Sequence, residues 1–213
     1  NQKRNKAPNY LKIMKYFTKK IRQFFAINDP MRDVFKMLIL SMLIGILVAF
    51  GAIVFYWMVE ASEYFFMDCC AGYRPAEAAG SITLFSPSAT SLNPWVLLFL
   101  PVIGGFVAGI LVYLFAPEAK GHGTDAVIEA FHRKGGRIRP IVPIIKPVSA
   151  ALIIGSGGSA GREGPISQIG AGIASYIGKL LRLHKRQVRI LIMAGLAAGV
   201  GAVFRAPLAA ALL

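Results

Sequence analysis

The chain has 213 residues, of which 55% are hydrophobic and 16% are charged. Soluble domains usually carry about a quarter charged residues, so this composition favours a single membrane unit over an ordinary soluble protein. The formal net charge of +14 is compatible with nucleic-acid binding. However, long uncharged stretches separate the basic residues, and no zinc-finger spacing or RNP-like aromatic motif accompanies them. We therefore expect no nucleic-acid partner and assign the basic residues to cytoplasmic loops.

The first segment, residues 1–32, is basic and amphipathic. Ile13, Phe17 and Ile21 recur at helical spacing, with lysines and Arg22 between them. This pattern predicts a cytoplasmic helix that lies on an anionic membrane surface. A solvated basic tail is the alternative.

Residues 33–213 are predicted to form the membrane domain, and two of its stretches are long enough to cross a bilayer. Met37–Val59 and Trp95–Ala116 contain no charge, and a crossing takes about 20 residues. The first helix is expected to begin near Pro30. The loop between the two stretches is rich in Asp and Glu and has Arg74 as its one basic residue. That bias places this loop outside and the N-terminus in the cytoplasm.

The second half of the chain has shorter apolar stretches. Pro147–Gly161, Gly164–Gly178 and Ile190–Phe204 are each 15 uncharged residues, and as helices they would cover about 22 Å, less than a bilayer core. Prolines and glycines interrupt them, as is typical of discontinuous helices in transporters. The basic loops Lys120–Lys146 and Lys179–Arg189 are expected in the cytoplasm. The predicted fold class is therefore all-α, a polytopic membrane protein with discontinuous half-helices.

Glu163 lies in a glycine-rich break and is the only acidic residue from Ala130 to the end. An ionisable group at membrane depth is costly and marks a functional site. Because Pro165 suits a first helical turn, a helix should begin at or just after Glu163 and present free N–H groups to an anion. Ionised, Glu163 would fill that site; protonated, it would move away and admit a free anion. The alternative is that Glu163 pairs with Arg162 or Arg205 to anchor the helices.

A soluble enzyme is a remote alternative, because Gly155–Ala160 matches the G-x-G-x-x-A fingerprint of dinucleotide-binding proteins. That fingerprint requires a βαβ unit and an acidic residue about 20 positions further on. No acidic residue follows Glu163, and the downstream sequence is apolar and rich in alanine and glycine. We therefore expect a transport protein, not an enzyme, with no catalytic residue, no metal site and no cofactor.

A second glycine break, Gly121-His122-Gly123, precedes a short predicted helix over Asp125–Phe131. Thr124, or Asp125 itself, is expected to cap that helix. His122 either donates an N–H to an anion or carries charge near neutral pH, or it packs without contacting an ion. Both readings remain open from the sequence.

Together these motifs resemble the CLC family of chloride channels and chloride–proton antiporters, from about Asp33 onward. The matching segments are Gly161-Arg162-Glu163-Gly164-Pro165 with the following Ile166-Ser-Gln-Ile-Gly170, Ala198–Leu208, which is similar to the family's A-F-N-A-P-L-A segment, and Gly121–Asp125, which aligns with its G-S-G-I-P motif. The first of these is the most specific.

The resemblance implies that Glu163 is the gating glutamate and the proton shuttle. It also implies that Gly161, Arg162, Gly164 and Pro165 line the anion site, and that Gly121, His122 and Gly123 form the loop at the central anion site. His122 stands where the family has a serine that holds the anion, and Asp125 stands where it has a proline.

The implied function is chloride–proton exchange, with a passive glutamate-gated chloride channel as the alternative. The implied partners are chloride, protons, the lipid bilayer and a second copy in a homodimer, and the implied location is the cell (inner) membrane. Family members consist of two halves of inverted topology. The resemblance places this chain in the first half, and we expect it to be part of a longer protein in which the inner proton-transfer glutamate lies a few residues beyond Leu213. A half-protein that pairs with another copy is the alternative.

Overall fold

The structure is a computed structural model that describes residues 30–74, 85 and 91–212. Most of the amphipathic helix predicted for residues 1–32 lies outside the described residues. Throughout the described ranges the regular structure is helical and no strand occurs, which confirms the all-α prediction. The βαβ unit that a dinucleotide-binding enzyme requires is therefore missing from this part of the chain.

Two long helices form the first half. Helix α1 spans Pro30–Glu63 and continues as a π-helix over Tyr64–Cys70, so the predicted start near Pro30 is confirmed. Helix α2 spans Pro94–Phe115, and the Asn93 side chain caps it by accepting hydrogen bonds from the first backbone N–H groups. Both helices expose many large apolar side chains. Because a lipid bilayer is the solvent that suits such faces, they are read as the lipid-facing side.

The second half is a set of shorter helices. They are α3 (Thr124–His132), α4 (Val142–Gly155), α5 (Glu163–Leu180), α6 (Lys185–Phe204) and α7 (Pro207–Ala211), and a 3-10 turn, Pro117–Ala119, precedes them. Three helical segments of the described chain are long and apolar enough to cross a membrane, namely Asp33–Cys70, α2 and α6. Helix α4, with 14 residues, is too short for a full crossing, as predicted for a discontinuous helix.

Two helices begin five residues earlier than predicted. Helix α6 begins at Lys185 instead of Ile190, because His184 and Gln187 form a reciprocal capping box at its start. Helix α4 begins at Val142 instead of Pro147, because Pro143 occupies its first turn, where its missing N–H costs nothing. Lys146 therefore belongs to a helix, and its assignment to a cytoplasmic loop was wrong.

Helix α5 is the centre of the bundle, with most of its residues buried between α1, α4 and α6. Its backbone touches that of α6, because a Cβ on Gly170 would overlap the carbonyl oxygen of Gly195. Such glycine contacts allow helices to pack closely without a hydrophobic driving force. This packing fixes the position of the α5 N-terminus, where Glu163 lies.

Candidate functional site

The two glycine breaks that the sequence analysis singled out lie against each other. A Cβ on Gly164 would overlap the carbonyl oxygen of His122 and come within 2.6 Å of its Nδ1 atom. A Cβ on Gly123 would lie 2.8 Å from the carbonyl oxygen of Gly164, and Gly123 also has a φ of +106°, which favours glycine. The structure therefore brings His122, Gly123 and Gly164 into one site.

Two helix N-termini converge at this contact. Helix α3 begins directly after Gly123, and helix α5 begins directly after Arg162. Neither end has a side-chain cap, so the first N–H groups of both helices are left for another acceptor. Each end carries a partial positive charge of roughly half a unit. The arrangement suits an anion.

The predicted cap of α3 was wrong. The helix begins at Thr124, one residue earlier than expected, so Gly123 takes the N-cap position and has no side chain to offer. The Thr124 Oγ1 atom instead lies 3.4 Å from His122 Nδ1. The imidazole of His122 thus stands beside the converging N-termini, and its role toward an ion stays a prediction.

Glu163 is the first residue of α5, at the predicted helix start, and its side chain is exposed. Its Oε2 atom would lie 3.9 Å from a Cβ on Gly161, so the carboxylate bends back over the glycine break. The buried Pro165 occupies the first turn. Ser167 Oγ donates a hydrogen bond to the Glu163 carbonyl oxygen at 2.8 Å.

The alternative in which Glu163 anchors the helices through an ion pair finds no support within the described ranges. Arg162 pairs with Glu63 of α1 at 3.2 Å, and its guanidinium lies 5.5 Å from the centre of the Tyr56 ring. Arg205 is exposed at the end of α6. No ion pair to Glu163 occurs in the described part of the chain, so its carboxylate is available for another role.

Lys146 is a site residue that the sequence analysis missed. It is 6% exposed, and its Nζ atom donates hydrogen bonds to the carbonyl oxygens of Ala119 at 2.9 Å and Gly121 at 2.6 Å. No carboxylate among the residues described pairs with it. A buried charge is stable only when it is compensated, so this ammonium favours an anion near the Gly121 loop. The sequence feature that could have identified Lys146 is its position as a charge inside an apolar, proline-rich stretch.

Gln168 was also missed, and it contacts the same part of the chain. It is 1% exposed, and its Nε2 atom donates to the carbonyl oxygen of Glu118 at 3.1 Å. Its Oε1 atom is buried without a hydrogen-bond partner and would lie 3.2 Å from a Cβ on Gly123. The Glu118 carboxylate is bonded to Arg139, and this hydrogen bond lowers the pKa of Glu118.

The fold and the site together define a class. The described chain is a helical bundle with membrane-length apolar helices. Two of its helix N-termini lie against each other, with a buried ammonium behind one of them and the exposed Glu163 carboxylate at the other. In the described ranges no group of three or more His, Cys, Asp or Glu side chains lies in position to hold a metal ion. This is an integral membrane protein whose site suits an anion.

Comparison with known proteins identifies the family. The family model described as voltage gated chloride channel matches residues 104–213, which is about half of the chain. The chain therefore belongs to the voltage-gated chloride channel (CLC) family. No solved structure is significantly similar to it.

Curated relatives agree with the family. The chain is 30% identical over 181 residues to the voltage-gated ClC-type chloride channel ClcB of Escherichia coli O81, a match that covers 84% of this chain and 40% of that protein. The values are the same for ClcB of Shigella boydii serotype 18. An uncharacterized protein of Methanocaldococcus jannaschii is 38% identical over 117 residues, which cover 54% of this chain and 28% of that protein. The chain thus spans less than half the length of these relatives.

Proposed function

We propose that this chain forms the gate and part of the anion pathway of a chloride transporter that exchanges chloride for protons, not of an enzyme. The observation that carries the proposal is the convergence of two uncapped helix N-termini beside Glu163, a carboxylate without an ion-pair partner in the described chain. Membership of a chloride channel family supports chloride as the anion.

In this mechanism one site accepts either the Glu163 carboxylate or a chloride ion. When Glu163 is ionised, its carboxylate binds the N–H groups at the start of α5 and blocks the site. When it takes up a proton, it loses this attraction, leaves the site and is replaced by chloride. Release of the proton on the other side then returns the carboxylate. One side chain thereby couples proton transfer to anion movement in the opposite direction.

The neighbouring residues have distinct parts in this proposal. Gly164 leaves room for the His122 loop, because a Cβ there would overlap the His122 carbonyl oxygen, and Gly161 lies beside the Glu163 carboxylate. Pro165 has no N–H to donate, and it acts by fixing the helix start. Lys146 supplies a fixed positive charge behind Gly121, which raises the local concentration of anions.

The test is Glu163→Gln in the full-length protein reconstituted in vesicles, with chloride and proton fluxes recorded under a chloride gradient. A glutamine cannot exchange a proton, so we expect chloride flux to persist and coupled proton flux to disappear. Glu129→Gln is the matched control, because Glu129 is exposed on α3 and pairs with Lys134. Proton pumping at the wild-type ratio in Glu163→Gln would show that Glu163 is not the shuttle.

A passive glutamate-gated chloride channel is the second candidate, and the names of the ClcB relatives favour it, since they are called channels. The two candidates differ in whether a chloride gradient drives protons uphill. Proton movement that follows chloride in vesicles of the unmodified protein supports exchange. Chloride flux without proton movement supports the channel.

We further propose a homodimer in the cell (inner) membrane with the N-terminus in the cytoplasm. The Arg162–Glu63 ion pair puts Glu163 at the same end of α1 as Cys70, an exposed free thiol. This orientation predicts that a membrane-impermeant maleimide labels Cys70 in intact cells and that Cys70→Ser reduces the labelling. Labelling of Cys70 only after permeabilisation contradicts the orientation.

Light scattering of the full-length protein in detergent tests the dimer.

A further inference from the structure

Basic side chains from three segments collect at the end of the bundle opposite Glu163. Helix α5 runs from Glu163 to Leu180, which separates the two ends by about 25 Å. The exposed cations at the far end, here called the basic surface, are Arg133, Arg137, Lys179, Arg182, Lys185 and Arg186. Within the described residues none of these six forms an ion pair. The basic surface therefore carries a strong uncompensated positive charge.

Specific contacts hold these segments together. Gly135, in the loop after α3, would place a Cβ 3.3 Å from the Lys185 side chain at the start of α6. Ser175 of α5 donates a hydrogen bond to the Gly136 carbonyl oxygen at 2.7 Å and accepts one from the Ile138 N–H at 2.8 Å. Arg189 Nη2 donates to the His132 carbonyl oxygen at 3.2 Å. The basic surface is thus a built feature of the fold and not a set of loose loops.

Exposed apolar side chains border the basic surface. Tyr176 and Leu180 on α5 and Ile190 on α6 are each about half exposed, within two turns of the cations on the same helices. Aromatic and apolar residues followed by lysine and arginine mark the boundary between hydrocarbon and headgroups. This neighbourhood is the one expected of cations at headgroup depth.

Arg182 has an unusual backbone conformation. Its φ is +54°, and it follows Leu181, the C-cap of α5, at the position where helices commonly have a left-handed glycine. Side chains with a Cβ are disfavoured there, so glycine would suit the turn better than arginine. Strained residues that persist often serve a function, and here the conformation places a guanidinium within the basic surface.

We propose that the basic surface binds the phosphate headgroups of anionic phospholipids. Arginine and lysine supply the donors that phosphate oxygens accept. The adjoining exposed apolar side chains fit acyl chains, which a free phosphate ion lacks. The occupant is therefore a lipid with a phosphate headgroup and a net negative charge.

The test compares Arg182→Gly with Arg205→Gly in the full-length protein. Arg205 is the matched control, because it is also an exposed arginine that follows a helix end with a positive φ, +52°. It differs in position, since it lies at the opposite end of α6 from Lys185. Native mass spectrometry gives the dissociation constant of phosphatidylglycerol, with phosphatidylcholine as the neutral reference lipid. Glycine relieves the backbone in both variants, so neither is expected to lower the melting temperature.

We expect Arg182→Gly to weaken phosphatidylglycerol binding about fivefold, with no change for phosphatidylcholine and no change in Arg205→Gly. The triple variant Arg137→Gln, Lys185→Gln and Arg186→Gln should weaken it further. Wild-type phosphatidylglycerol affinity in both Arg182→Gly and the triple variant overturns the proposal, as does an equal loss in Arg205→Gly. Displacement of the lipid by millimolar inorganic phosphate would assign the site to the free ion and overturn the lipid assignment.

Discussion

Gly164→Ala tests the contact on which the site depends. The added Cβ would overlap the His122 carbonyl oxygen and lie 2.6 Å from His122 Nδ1. Backbone faces backbone here, so a side-chain rotation cannot relieve the overlap, and α3 and α5 must separate by roughly 1 Å or more to restore normal contact distances. Overpacking of this kind costs about 1–3 kcal/mol. If both helix N-termini hold one anion, the same separation weakens chloride binding by about 10-fold to 100-fold.

The assay is isothermal titration of chloride into the full-length protein, together with chloride efflux from vesicles. Gly105→Ala is the control, because a Cβ on Gly105 of α2 meets nothing within 4 Å. Alanine in an exposed helix interior is expected to stabilise by about 0.5–1 kcal/mol. If Gly164→Ala binds chloride as tightly as Gly105→Ala does, the two N-termini do not share an anion.

Three further predictions concern the residues around the Gly121 loop. Lys146→Met removes a buried charge and its two hydrogen bonds to the loop. Chloride affinity, measured by titration calorimetry, should therefore fall about 10-fold or more. Unchanged affinity would refute a role for the ammonium. Gln168→Leu leaves the Glu118 carbonyl oxygen without its donor and should lower the free energy of unfolding by about 1 kcal/mol in denaturant titrations; wild-type stability would show that this bond is not needed. Arg139 lowers the pKa of Glu118, so their pair contributes stability above the ordinary glutamate pKa, and this stability is lost as the pH falls through the lowered value. Because the pair is partly exposed, the loss of stability is about 1 kcal/mol or less. Thermal unfolding of Glu118→Gln should therefore lack this decrease in stability at acid pH. A pH profile identical to that of the unmodified protein would contradict the assignment.

The sequence predicted those helix ends that local signals determine. The start of α1 near Pro30 and the start of α5 at Glu163 follow from the preference of proline for a first turn. The start of α6 was missed because Lys185, Arg186 and Arg189 end an uncharged stretch. Charges limit an apolar stretch but do not end a helix, because long basic side chains reach the headgroup region while the backbone stays helical.

The sequence singled out individual candidate site residues, but it did not show which of them lie next to one another. Glu163 and His122 stand out in the sequence because each lies within a glycine break. The contact between His122 and Gly164, the residue after Glu163, joins segments that are far apart in the chain, and only tertiary packing determines it. Lys146 was assigned to a loop because a charge beside prolines is usually solvated, and Gln168 has no periodic signal that separates it from a core residue. The backbone carbonyls that each of them binds are visible only in the folded structure.

The most direct test of the central claim is anomalous X-ray diffraction from crystals of the full-length protein grown in bromide, which replaces chloride. In Glu163→Gln, we predict a bromide peak within hydrogen-bonding distance of the first N–H groups of α5, beside Gly123 at the start of α3. Bromide bound elsewhere in the membrane domain, with no peak at these two helix N-termini, would contradict the account.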